Sequence, residues 1–375
     1  MSFVSPVDPD GLQEFSVVFT DRSLNHMSST FQRVMTDINQ TLKSAYTADH
    51  DAIVPGGGTF AMEAVARQFA SEAKALVIRN GWFSYRWSQI FDASDIADHV
   101  DVIKAAQTGN DTQSPFAPAP IEMVTAAIKE HKPAVVFAPH VETSAGMILP
   151  DDYLSAVADA AHAVGAIFVL DCIASGCIWV DMQALGVDVL ISAPQKGWSG
   201  TPCAGLVMMS DRAYGRMQET ESSSFSMNLK TWANIMKAYE NGGHAYHATM
   251  PTDGLRQMLV QMQEMAEIGF DELKSRQQDL GDKVRAFLES QGHKSVAAKG
   301  FKAPGVVVSY TDKSHFQNGS AFAAQGAQIA AGVPLQCDEP EGFSTFRIGL
   351  FGLDKLKDVD GTVARLRDVF QRVQG

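Results

Sequence analysis

Residues 166–175 read AIFVLDCIAS, and this stretch decides the fold, because five apolar residues run directly into an aspartate. The wider apolar segment from Ala163 to Val180 approaches the length of a membrane span, but Asp171 lies at its centre. Since an unpaired carboxylate is costly in hydrocarbon, we interpret the segment as a buried strand that carries an acid to a site.

The segments around this strand alternate between β-prone runs and amphipathic helices. Between Thr59 and Ser71 apolar residues recur at i, i+3, i+4 and i+7, which is one face of a helix. Further apolar runs predict strands at residues 75–78, 134–138 and 187–191. This order predicts an α/β fold with a mostly parallel sheet between helices, in which ligands gather at the carboxyl ends of the strands.

The pattern changes beyond Met265. A long polar helix is predicted over residues 267–290, followed by strands near residues 306–310 and 346–350. We therefore expect an N-terminal arm over residues 1–20, a large domain over residues 21–265 and a smaller α+β domain over residues 266–375.

Composition excludes several classes of protein. The 375 residues are 45% hydrophobic and 19% charged, which is typical of a globular protein and not of a disordered one. The net charge of -13 argues against nucleic acid or an anionic membrane as a partner. Four cysteines are too few for a disulfide framework or a zinc cluster, and residues 1–15 show no secretory signal. We expect a cytoplasmic protein without a metal site.

A glycine turn, Gly56-Gly57-Gly58-Thr59, directly precedes the first of these helices. Glycines allow close approach of a ligand, and the unpaired N–H groups of a helix start favour a phosphate. A simple tight turn is the alternative. The letters also satisfy the dinucleotide pattern G-x-G-x-x-A, which fits poorly because the next strand ends in Arg79-Asn80 and not in an acid.

Two further candidates follow strands. Asp171 needs a cationic partner or hydrogen bonds in apolar surroundings, and a protonated ring nitrogen would satisfy it. Lys196 follows the strand at residues 187–191, where desolvation can produce a free amine that attacks a carbonyl. Taken alone, each is more often a cap, a salt bridge or a solvated lysine. In this order, a phosphate turn, an acid and a lysine indicate a pyridoxal 5'-phosphate site.

From about Pro55 to Gly352 the chain resembles the fold-type I pyridoxal-phosphate enzymes, specifically class V aminotransferases of the alanine–glyoxylate and serine–glyoxylate type. The resemblance implies homodimers with shared active sites and transfer of an amino group by way of a Schiff base on Lys196. It also implies a role for each of the following residues. The cofactor's phosphate would be bound by Gly57, Gly58, Thr59 and Gln195. Its ring would be stacked between Phe83 and Ile173. Thr143, or else Ser144, would bind the ring hydroxyl, and Asp171 would bind the ring nitrogen.

The same resemblance assigns proton transfer to Lys196, in addition to its bond to the cofactor. Tyr246 and Thr249 match a motif that reaches the phosphate in the neighbouring subunit, and Arg347 matches the arginine that holds the substrate's carboxylate. Trp82 and Arg86 remain open between packing or ion-pair roles and contact with the site. His140 is interpreted as structural.

We expect an aminotransferase that moves an amino group from alanine, serine or aspartate to a small 2-oxo acid such as glyoxylate or pyruvate. An aminophosphonate donor is an alternative, because an arginine holds a phosphonate as well as a carboxylate. A cysteine desulfurase that uses Cys337 is another, although the acids beside that thiol would raise its pKa. A non-catalytic binding protein would not need Lys196.

Overall fold

The computed structural model describes residues 7–374, so the first six residues of the predicted arm lie outside the described residues. The helices are α1 (Ser29–Tyr46), α2 (Gly58–Phe69), α3 (Trp82–Ser94), α4 (Ile121–His131), α5 (Asp151–Ala163), α6 (Met182–Leu185), α7 (Asp211–Glu219), α8 (Leu229–Glu240), α9 (Thr252–Ile268), α10 (Phe270–Ser290), α11 (Ser314–Gln317), α12 (Ser320–Ala323), α13 (Leu353–Leu356) and α14 (Val359–Gln374). The strands are β1 (His50–Pro55), β2 (Lys74–Arg79), β3 (His99–Lys104), β4 (Ala106–Gln107), β5 (Phe116–Ala117), β6 (Val135–Pro139), β7 (Val141–Glu142), β8 (Met147–Ile148), β9 (Ile167–Asp171), β10 (Val189–Ser192), β11 (Ala204–Met209), β12 (Val306–Tyr310), β13 (Ala330–Ala331) and β14 (Thr345–Gly349).

A seven-stranded sheet in the order β1-β11-β10-β9-β6-β2-β3 forms the centre of the molecule. Only β11 is antiparallel to its neighbours, so the other six strands point the same way. The residues of β6, β9 and β10 are all buried, as expected for parallel strands covered on both faces. The predicted α/β fold with a mostly parallel sheet between helices is confirmed.

Helix α5 shows how these segments cover the sheet. Its buried face contains Leu154, Val157, Ala158 and Ala161, which recur at helical spacing. The helix ends before Gly165, which adopts φ +82° and turns the chain into β9.

A smaller three-stranded sheet, β12-β14-β13, lies in the last third of the chain. The helix predicted over about residues 267–290 is present as α10, but it begins three residues later than predicted, at Phe270. The structure has two helices, α9 and α10, because Gly269 lies between them with φ +98°, a conformation that ends a helix.

The predicted domain limits stay a prediction, and the limit after residue 265 lies near the end of α9. Within residues 7–374, none of the helices combines the length and the apolar character needed to cross a bilayer.

Candidate active site

Six parallel strands end at one edge of the central sheet, and predicted site residues follow the ends of five of them. Strands β1, β2, β6, β9 and β10 point the same way, so the loops after them meet. A cavity of about 100 Å³ lies there, and its lining is Gly58, Thr59, Met62, Phe83, Arg86, Val141, Thr143, Asp171, Ile173, Ala174, Gln195 and Lys196. A larger cavity of about 650 Å³ lies elsewhere, within residues 8–32, and contains none of the predicted site residues. The chemistry therefore points to the smaller cavity.

Asp171 is the last residue of β9 and is only 7% exposed. One of its carboxylate oxygens accepts the N–H of Ile173 at 2.9 Å. Burial raises the pKa of Asp171 to about 6, against the opposing effects of that N–H and of the nearby Lys196. No carboxylate–cation contact in the described chain neutralises it, so the site presents a buried acid that favours a cationic ligand atom.

Lys196 follows β10, and Ile191 of that strand lies beside Asp171 in the sheet. The Lys196 Nζ lies 5.7 Å from the centroid of the Phe83 ring and 5.8 Å from that of Phe351. Burial lowers the pKa of Lys196, while the Asp171 charge opposes the shift and Arg86 adds to it. A lowered pKa makes the neutral, nucleophilic amine more accessible near neutral pH.

The glycine turn forms the start of helix α2, with Gly57 as its N-cap. A Cβ on Gly58 would lie 2.5 Å from Cδ1 of Ile173, whereas a Cβ on Gly57 would meet nothing within 4 Å. Gly58 is therefore needed so that Ile173 can pack against the turn, and the space beside Gly57 is open. The unpaired N–H groups of the first turn of α2 belong to this edge of the sheet.

Glu142 is a site residue that the sequence reasoning missed. Its side chain is completely buried, and its carboxylate accepts the N–H groups of Phe83 at 3.2 Å and Ser84 at 2.9 Å. It also accepts the hydroxyls of Ser84 and Ser144, each at 2.7 Å. The signal was present, since Glu142 belongs to the segment from His140 to Gly146 on which the resemblance rests, but only the fold shows that it caps α3.

Thr143 lines the cavity, whereas His140 does not. The His140 Nδ1 pairs with the Ser175 hydroxyl at 2.7 Å, and burial lowers the pKa of His140 to about 3. A neutral, hydrogen-bonded ring in this position supports the structural interpretation of His140.

Arg347 lies on β14 and approaches the same aromatic ring from the small sheet. Its Cζ is 5.5 Å from the centroid of the Phe83 ring, and its Nε donates to the Ala331 carbonyl at 2.8 Å. Burial lowers the pKa of Arg347, and the charge of Glu142 opposes that shift. Arg347 does not line the cavity, but the backbone contact fixes its guanidinium beside Phe83, and its terminal nitrogens have no hydrogen-bond partner within residues 7–374.

The structure distinguishes the roles of Trp82 and Arg86, which the sequence left open. Trp82 does not line the cavity; its backbone N–H donates to the Ser144 hydroxyl at 2.9 Å, and the centroid of its ring lies 5.7 Å from that of Tyr85. These contacts support packing. Arg86 does line the cavity, and it donates to the Thr59 hydroxyl at 3.1 Å.

Tyr246 and Thr249 are not brought to this cavity within the single chain. The Tyr246 side chain is 53% exposed, and its hydroxyl lies 3.3 Å from that of Thr249. Their contact with a cofactor in a neighbouring subunit stays a prediction.

Cys337 is buried, and its thiol donates to the Arg79 carbonyl at 3.4 Å. Burial raises the pKa of Cys337 to about 12, and Glu142 and Glu339 act in the same direction. A thiol held in this way is a poor nucleophile, so the geometry does not favour the desulfurase alternative.

Comparison with known proteins places this geometry in a family. The family model described as aminotransferase class-V matches residues 13–359. An alanine–glyoxylate aminotransferase of Oryctolagus cuniculus is 23% identical over 93% of this chain and 87% of its own length. A 2-aminoethylphosphonate–pyruvate transaminase of Vibrio parahaemolyticus is 28% identical over 73% of this chain and 70% of its own.

Among solved structures, an alanine–glyoxylate aminotransferase from Nostoc sp. superposes with a TM-score of 0.77 at 22% identity, over 93% of this chain and 89% of the other. At that identity the superposition speaks for the fold alone. The match to the family model covers most of the chain, and it confirms the predicted enzyme class, a transaminase. The chain belongs to the class V aminotransferase family.

Proposed function

We propose that this transaminase uses pyridoxal 5'-phosphate to move an amino group from a small L-amino acid, such as alanine, serine or aspartate, to a small 2-oxo acid such as glyoxylate or pyruvate. One observation carries the proposal: Asp171, Lys196 and the start of α2 at Gly58 line the same cavity. They are far apart in the sequence and belong to three different strand ends.

The residues present fit the cofactor. Asp171, a buried carboxylate that forms no ion pair within the described residues, suits a protonated ring nitrogen, and the open turn at Gly57 suits a phosphate. In this proposal Phe83 and Ile173 hold the two ring faces, Thr143 binds the ring hydroxyl and Gln195 lies near the phosphate. Lys196 would form the covalent link.

When bound, the cofactor supplies an electron sink for the charge left on the substrate's α-carbon. The chain's own residues would do the rest. Arg347 would hold the substrate's carboxylate, and Lys196 Nζ would take the proton from the α-carbon. An ionised Asp171 would keep the ring nitrogen of the cofactor protonated. Glu142 holds the start of α3, and with it Phe83, in place.

An aminophosphonate donor is the second candidate. It is supported by the Vibrio parahaemolyticus relative and by the presence of two guanidinium groups, those of Arg86 and Arg347, near the Phe83 ring. A phosphonate can use the same planar, charge-assisted contacts as a carboxylate.

We further propose a cytoplasmic homodimer with shared active sites, without nucleic acid or membrane as a partner. The position of Tyr246 and Thr249 outside the chain's own cavity supports sharing, because these residues then remain available to a second subunit.

A half-reaction screen tests the proposal. Amino acids and 2-aminoethylphosphonate are added singly to the purified protein loaded with pyridoxal 5'-phosphate, and the visible absorption of the aldehyde form of the cofactor is followed. We expect one small donor to convert it to the amine form, and Lys196→Ala to lose turnover by at least ~100-fold. Lys299→Ala, a change at an exposed lysine that does not line the cavity, should keep its turnover. A protein that binds no pyridoxal phosphate, or an unimpaired Lys196→Ala variant, would contradict the proposal. Sulfide release from cysteine that depends on Cys337 would favour the desulfurase.

A further inference from the structure

Arg86 faces the candidate active site without a contacting acid. Its side chain lines the cavity together with Lys196, and within residues 7–374 its guanidinium forms no ion pair. Its Cζ lies 5.3 Å from the centroid of the Phe83 ring. The Arg86 guanidinium therefore places a positive charge on this side of the cavity.

The hydrogen bond between Arg86 and Thr59 has a defined direction. A guanidinium has donors only, so Arg86 Nη1 donates to the Thr59 Oγ1 at 3.1 Å. The hydroxyl hydrogen of Thr59 remains available, since this hydroxyl accepts from Arg86 and donates to no group in the described part of the chain. Thr59 is the second residue of α2, so its free donor belongs to the helix start that has unpaired N–H groups.

We propose that Arg86 is a further cofactor-binding residue, which orients the Thr59 hydroxyl to donate to the cofactor's phosphate and adds positive charge beside that phosphate. The inference rests on the proposed function, since it presupposes that the cavity takes pyridoxal phosphate. It goes beyond that function by assigning a phosphate-side role to a residue on α3, one turn after the ring-stacking Phe83. The competing role for Arg86, binding of a substrate anion, is separated from this one by the test.

The test compares two ligands that differ only in the phosphate and cannot form a covalent link to Lys196: pyridoxamine 5'-phosphate and pyridoxamine. Their dissociation constants for the cofactor-free protein are measured by equilibrium dialysis for wild type, Arg86→Gln and Arg86→Lys. Arg365→Gln is the control, because Arg365 also donates to a threonine hydroxyl, that of Thr362 at 2.8 Å, and lies on the exposed face of α14, where it pairs with Asp358.

Loss of a charge-assisted hydrogen bond predicts that Arg86→Gln weakens binding of pyridoxamine 5'-phosphate roughly 10- to 100-fold and changes pyridoxamine binding less than about twofold. The affinity of Arg86→Lys for pyridoxamine 5'-phosphate should lie between those of wild type and Arg86→Gln. Arg365→Gln should bind both ligands as wild type does. A double-mutant cycle with Thr59→Val should be non-additive, because both changes break the same contact.

Three results would overturn the inference. Equal losses for both ligands would show that Arg86 acts through the fold or the ring, and unchanged affinities in Arg86→Gln would show that it does not act on the phosphate. Unchanged affinity with a raised KM for the amino acid would assign Arg86 to the substrate. In all three cases the proposed function stands if wild type still prefers the phosphorylated ligand. A wild type without that preference would instead contradict the proposed phosphate site itself. Arg86→Lys keeps the comparison possible if Arg86→Gln fails to fold.

Discussion

The carboxylate of Glu142 accepts the backbone N–H of Phe83 at 3.2 Å, and this contact joins the end of β7 to the start of α3. The second oxygen accepts the next N–H, that of Ser84. Negative charge at a helix start is favourable because the unpaired N–H groups and the helix dipole are positive there. One buried acid thus fixes the position of the aromatic ring beside the cavity without facing the ligand itself.

Replacement of Glu142 by glutamine should therefore destabilise the protein. The amide puts an NH₂ group where a carboxylate oxygen now accepts hydrogen bonds, so at least one buried donor loses its partner at a cost of about 2 kcal/mol. Urea unfolding followed by circular dichroism measures the free energy of unfolding. Glu272→Gln breaks only the exposed pair with Arg276 and should change that free energy by less than about 0.5 kcal/mol. Equal stability of Glu142→Gln and wild type would show that the cap is dispensable.

The pH dependence of cofactor binding should report on Asp171. Burial raises the pKa of Asp171 to about 6, so the carboxyl group of the cofactor-free protein becomes neutral as the pH falls below that value. A neutral acid no longer attracts a protonated ring nitrogen. We expect the affinity for pyridoxamine 5'-phosphate to fall below about pH 6 in wild type more steeply than in Asp171→Asn, measured by dialysis from pH 5 to pH 8. Identical pH profiles for the two proteins would contradict this role of Asp171.

Asp51 offers a test of stability away from the site. It is buried on β1, its Oδ1 accepts from Asn39, and its Oδ2 has no partner among the described residues. Burial raises the pKa of Asp51 to about 7, from an ordinary value of 3.8, so the folded state holds a proton that the unfolded state has lost between these values.

The contribution of the Asp51 carboxyl group to the free energy of unfolding is therefore fully present below about pH 4, and it is lost as the pH rises towards 7. Asp51→Asn keeps the acceptor and removes the charge. Its melting temperature should exceed that of wild type at pH 8, and the difference should shrink steadily towards pH 4. A constant difference across this range, measured by thermal unfolding at a series of pH values, would mean that Asp51 does not titrate in this way.

The sheet edge could be predicted from the sequence because parallel strands end together. The apolar runs that lead to Asp171 and Lys196 are short strands, and Asp171 ends its strand while Lys196 follows its own, close to what the pattern predicts. Gly269, which separates α9 from α10, can be read in the sequence. The polar helical pattern that follows it nevertheless obscured the boundary between the two helices. Glu142 could not be recognised, because its partners on α3 are about 58 residues away and a buried glutamate looks like an exposed one in the sequence.

Replacement by alanine should destabilise the protein at Gly58 but not at the neighbouring Gly57. On Gly58 a Cβ would lie 2.5 Å from Cδ1 of Ile173, so the isoleucine has to move, and overpacking of this kind costs about 1–3 kcal/mol. On Gly57 the Cβ would have open space, and φ of -176° is ordinary extended backbone, so Gly57→Ala should unfold with nearly the free energy of wild type.

The cause of the loss in Gly58→Ala can be checked by removing the side chain that is hit. Ile173→Ala takes away all three of the atoms nearest to the added Cβ, so the double variant Gly58→Ala/Ile173→Ala should lose less stability than the sum of the two single changes. Urea denaturation of the four proteins in the cycle gives the coupling free energy. Strict additivity would show that Gly58 is required for a reason other than its contact with Ile173, such as the backbone conformation of the turn.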